Sequence, residues 1–199
     1  MSIKIDWNLP EIRNGLGGKI DKFIGPGATT AEKNLQLYIP FGVALAVGLL
    51  AVLQDWGWSL GQTIVAVLIT VDMCGGIITN ATSTAKRWYF REGEGFKQHI
   101  SFVSLHFIQL ALISYFFLDF DIPWLLLTGG YMMLACTIIL KTPLYLQRPV
   151  SFSLYALSIL LSLYVFKAPE YLEWFLPFFY LKLLISHCLR EEPYRSEVE

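Results

Sequence analysis

The chain has 199 residues, 55% of them hydrophobic and 16% charged, with a net charge of −1. A soluble fold of this length could not bury so much apolar surface, and near-neutrality argues against bulk attraction to nucleic acid. Cys74, Cys136 and Cys188 all lie in apolar stretches, which speaks against a disulfide framework or a zinc site.

Residues 1–35 read as a polar leader. Its first residues lack the apolar core of a signal peptide, and Ser2 stands where N-myristoylation would need glycine, so neither is expected. Ile12, Leu16, Ile20, Phe23 and Ile24 recur at three- and four-residue spacing, with Arg13, Lys19 and Lys22 on other faces. This spacing predicts a short amphipathic helix lying on the membrane, weakened by Gly15, Gly17 and Gly18 and ended by Gly25-Pro26-Gly27. Thr29 and Glu32 fit a capping box that starts the next helix, with Pro40 as a kink.

From there, apolar runs near the length needed to cross a bilayer predict spans at about 36–54, 59–84, 98–118, 123–141, 149–166 and 170–189. Trp56, Trp58, Trp124 and Trp174 fall near alternate ends, as an interfacial aromatic belt would. Lys and Arg collect at the opposite ends: thirteen of the fifteen lie in the leader, the second and fourth loops and the tail, one is Lys167, and one, Lys182, is inside a span. The predicted fold is therefore all-α: a polytopic membrane bundle of six transmembrane helices with both termini cytoplasmic, preceded by the interfacial helix. A leader (1–35), a transmembrane domain (36–189) and a cytoplasmic tail (190–199) divide the chain. The expected location is a plasma or inner membrane.

The second span is the least ordinary. Asp72, Gly76, Thr79, Asn80, Ser83 and Arg87 share one helical stripe. Gly75, Gly76, Thr79, Ser83 and Thr84 can be explained as small residues that let a neighbouring helix approach. Asp72 cannot, because a mid-bilayer carboxylate costs roughly 2.5–3.5 kcal/mol unless it is protonated, paired or wet. In the third span His99, His106 and Gln109 fall on one side of a helix and are expected to face inward together. Antiparallel packing would set His106 and Asn80 at comparable depth. Lys182 either snorkels, pairs with Asp72, or binds an anion beside His106 and Asn80. Arg148 reads as an interfacial anchor at a basic cavity mouth shared with Arg87 and His99.

The chain lacks H-E-x-x-H, clustered His boxes, paired carboxylates for Mg²⁺ and G-x-S-x-G, so neither metal nor cofactor is expected. A haem between His106 and His187 is unforced. The expected function is a metal-independent membrane enzyme acting on a lipid or isoprenoid-like amphiphile. Asp72, His106 and Asn80 are its catalytic candidates, and Arg87, Lys182, His99, Gln109, Ser83 and Arg148 would bind the substrate or an anion. A small transporter or proton or cation conductor is one alternative, and an assembly subunit whose stripe docks a partner helix is another. The expected partners are membrane lipids, an anionic or amphiphilic small molecule and a second copy of the chain, but not nucleic acid.

Overall fold

A computed structural model describes residues 3–196. In chain order these form β1 (Ile3–Ile5), α1 (Gly15–Ile24), α2 (Thr30–Leu53), α3 (Leu60–Ala81), α4 (Ser83–Tyr89), α5 (Phe96–Ser104), α6 (Phe107–Phe117), α7 (Ile122–Lys141), α8 (Leu144–Tyr164), α9 (Phe175–Tyr180), a π-helical continuation (Leu181–His187) and β2 (Tyr194–Ser196). Five helical segments are long and apolar enough to cross a membrane, with α5 and α6 together making the third. The molecule is thus a helical protein built for multiple membrane crossings.

Local chemistry accounts for the helix ends. Thr29 and Glu32 form the expected capping box of α2, and Ser59 and Gln62 form another at α3. Asp121 caps α7 by accepting a hydrogen bond from the Trp124 amide. Gly25, at φ 89°, ends α1 in a conformation that L side chains rarely adopt.

The last apolar segment departs from the expected 170–189 span. Its helix covers only Phe175–His187, too short for the apolar-length criterion. It is packed within the protein: Phe175, Phe179, Tyr180, Leu183 and Leu184 are all fully buried. It packs against α3, α7 and α8, while α5 and α6 pack on α7, and α6 on α3, so the segment forms the centre of the bundle. The α2 helix lies outside this ring and packs chiefly along α3.

Two further features lie outside the sequence expectations. β1 and β2 pair antiparallel, with Lys4 opposite Arg195, so the two ends of the described chain meet on one face. At the other face Trp56 stacks on Tyr171 at 4.9 Å and Trp58 meets Phe117 edge-on at 5.3 Å, joining three turns. Trp124, expected in the aromatic belt, is instead 5% exposed and packed in the core.

Candidate functional site

A cavity of about 520 Å³ lies where α2 and the α5–α6 segment flank α3. Four irregular elements frame it. Pro40 interrupts the hydrogen-bond ladder of α2. The third span breaks between Ser104 and Phe107, where the amides of Leu105, His106 and Ile108 each bond three residues back in a 3₁₀-like turn. The α9 helix widens into a π-helix from Leu181. The end of α1 closes the cavity toward the terminal face through Phe23 and Ile24, and Tyr89 holds it there by donating to the Phe23 carbonyl at 2.7 Å.

Asp72, near the middle of the 22-residue α3, provides the cavity's carboxylate. Lys182, from the π-helical turn, donates to its Oδ2 at 2.9 Å, and Gln109, from α6, donates to the same oxygen at 3.0 Å. Gly76 makes the ion pair possible, because a Cβ there would overlap the Lys182 methylenes. His106 is presented by the helix break. Its Nδ1 lies 3.0 Å from the Phe102 carbonyl, which can only accept, so Nδ1 carries the proton and Nε2 keeps its lone pair in the neutral ring. Asn80 is buried and lines the same cavity. Asp72, Asn80, His106, Gln109 and Lys182 therefore come together, although they arise from three separate parts of the chain.

Sequence reasoning missed Gln36, on α2. It accepts from the Thr79 hydroxyl at 3.0 Å, and its Nε2 is buried without a partner, as is Oε1 of Gln109. The only sequence signal was a glutamine opening an apolar run.

The other candidates lie elsewhere. His99 and His106 are both buried toward the central helix, as expected of one helix side, but they reach different recesses. His99 Nδ1 is 3.1 Å from His187 Nε2 in a separate recess of about 130 Å³, and the Phe102 ring lies tilted against His187 at 4.2 Å. Arg87 leaves the stripe because α3 ends at Ala81 and Thr82 caps a new helix, α4. Its guanidinium is buried instead against the Pro26 carbonyl at 3.2 Å and Asp6 at 3.5 Å, and burial pushes its pKa down. Ser83 accepts from the Tyr194 amide and so tethers the C-terminal strand. Arg148 is exposed, away from the cavity. None of these four lines the cavity.

The basic residues beside α4 have structural work. Lys86 donates to the carbonyls of Ser186 and Leu189 at 2.7 and 2.5 Å, capping the end of the central helix. Burial pushes its pKa down to about 8, against the attraction of Glu191. In the leader, the Arg13 side chain and amide converge on Asp21, which is 3% exposed, and the Arg13 guanidinium holds that carboxyl below its ordinary range.

Among the described residues no group of three or more His, Cys, Asp or Glu side chains is placed to hold a metal ion. Fold and site together define a multi-helix protein suited to a membrane, with a polar-floored cavity inside its apolar zone. Comparison with known protein families, curated proteins and solved structures finds no match to the chain.

Proposed function

We propose that this chain is a membrane-embedded enzyme acting on the polar head of a lipid or isoprenoid-like amphiphile that enters the cavity sideways from the bilayer. The observation that carries the reading is one cavity with two chemistries. Its floor holds Asp72, Lys182, Gln109 and His106, while Phe41, Leu68 and Leu105 make its walls apolar. Such a division fits a ligand with a polar head and a hydrocarbon tail. The Asp72 side chain is 44% exposed near the middle of an apolar helix, so hydrocarbon alone would be a poor neighbour for it.

In this reading the lone pair on His106 Nε2 takes a proton from the head group, and the Lys182 ammonium, fixed by Asp72, faces the negative charge that develops. A metal is not required. A pathway crossing the bundle is less well supported, because on α3 the lining runs from Leu68 to Asn80 and leaves the first two turns out. The charge bias supports a cytoplasmic terminal face, with the cavity in the cytoplasmic half of the bundle.

The test is mass spectrometry of all lipids in nanodiscs made from a host lipid extract. The wild-type chain should deplete one species and generate another, and His106→Ala should not. Identical profiles for wild type, His106→Ala and protein-free discs would remove the enzyme reading.

A further inference from the structure

We infer that the cavity selects an uncharged, hydroxyl-bearing head group, such as that of a long-chain alcohol, over a phosphate or diphosphate. The inference rests on the amphiphile reading above and narrows its substrate class.

The argument is charge complementarity. Asp72 and Lys182 are the cavity's carboxylate and ammonium, 2.9 Å apart, and their charges cancel wherever the shared proton sits. The remaining polar groups at the cavity are neutral amides, hydroxyls and one imidazole. A phosphate brought into an apolar enclosure needs an unpaired cation, preferably the fork of an arginine. Among the described residues no arginine lines this cavity. Arg87, the nearest in sequence, is buried against Asp6 and the Pro26 carbonyl, and Lys86 is engaged by Ser186 and Leu189.

Unused hydrogen-bonding capacity points the same way. Gln36 leaves a donor, Nε2, and Gln109 an acceptor, Oε1, both buried without a partner beside the cavity. A hydroxyl donates and accepts at once, and so can satisfy both kinds of group. A phosphate dianion only accepts, and it would meet Asp72 as a like charge.

The experiment uses the full chain in phosphatidylcholine vesicles with a diazirine-bearing hexadecanol as photolabel. Labelled peptides are mapped by mass spectrometry, and unlabelled hexadecanol and hexadecyl phosphate compete in separate arms. The expected result is labelling of α2, α3 or α6 segments at the cavity, with hexadecyl phosphate competing about tenfold more weakly than hexadecanol or worse. Asp72→Asn leaves Lys182 unbalanced, and in that variant hexadecyl phosphate should become the better competitor. Equal or stronger competition by the phosphate on the wild-type chain would overturn the preference and leave the amphiphile reading standing. Absence of cavity labelling by the alcohol, with the chain shown to be folded by its circular dichroism, would overturn the preference, and absence of labelling by a diazirine-bearing hexadecyl phosphate as well would remove the amphiphile reading. If Asp72→Asn fails to fold, Lys182→Met supplies the converse arm: its unbalanced carboxylate should weaken phosphate competition further.

Discussion

The Lys182 ammonium lies 2.9 Å from the Asp72 carboxylate, joining the central helix to α3 across 110 residues of sequence. The lysine side chain is 3% exposed and the aspartate 44%, so the cation is enclosed by protein while its partner faces the cavity. The pair therefore fixes the central helix and also sets the charge of the site.

Removing one member should harm the fold more than removing both. Lys182→Met leaves an unpaired carboxylate in an apolar zone and should destabilise the protein by on the order of 2–3 kcal/mol, with the exposure of Asp72 keeping the loss below the largest values for buried pairs. The Lys182→Met, Asp72→Asn double variant should recover most of that. Thermal unfolding in one detergent, arranged as a double-mutant cycle, reads the coupling, and additive losses would mean the pair contributes nothing.

Gly75 and Gly76 are neighbours in sequence with opposite expectations. A Cβ at Gly75 would meet Pro40 at an ordinary 3.8 Å, whereas one at Gly76 would overlap the Lys182 side chain. Gly76→Ala should therefore displace Lys182 from Asp72 and cost about 1–3 kcal/mol. Gly75→Ala should be neutral or slightly stabilising, since alanine is favoured over glycine by about 1 kcal/mol in a helix. Equal effects in the same unfolding assay would contradict the assigned path of Lys182.

Much of this arrangement is legible in the sequence where the determinants are local. The Thr29–Glu32 box and the glycine that ends α1 act within a few residues and have their expected place, and five of the six expected apolar runs form helices long enough to cross a membrane. The convergence of Asp72 with His106 and Lys182 follows from their cost in a membrane, which demands partners. The helix break before Phe107 has no such signal: Ser104-Leu105-His106 contains neither proline nor glycine, and its setting includes the close approach of the Phe107 ring to Gly129 on α7. The π-helical turn and the pairing of Lys4 with Arg195 also depend on distant parts of the chain. Periodicity could not foresee that the last apolar segment becomes the core, because a mainly apolar segment suits lipid and protein surroundings alike.

Acid should loosen the leader through Asp21. The Arg13 guanidinium lowers the folded carboxyl's pKa below 3.8, so the stabilisation is complete above that value and is lost as pH falls through the folded pKa. Protection of the α1 amides, measured as exchange relative to the intrinsic rate at each pH, should fall below pH 3.8 in the wild type. Asp21→Asn should exchange fast at neutral pH and lose that acid dependence. A variant that retains the wild-type profile would assign the transition to another group.

Lys86 should matter to the end of the central helix although it lies outside the cavity. Lys86→Met leaves the Ser186 and Leu189 carbonyls without their donor, at a cost of about 1–3 kcal/mol. Hydrogen exchange resolved by peptide should show loss of protection at residues 186–196 first. Protection unchanged there would deny the capping role.

The most direct test of the central claim is a structure of the full chain in lipid nanodiscs by electron cryomicroscopy. Elongated non-protein density should occupy the cavity between α2 and α6, with its polar end within hydrogen-bonding distance of the Asp72–Lys182 pair and His106. A cavity closed by α2 moving onto α6, or Asp72 and Lys182 turned to separate partners, would contradict it.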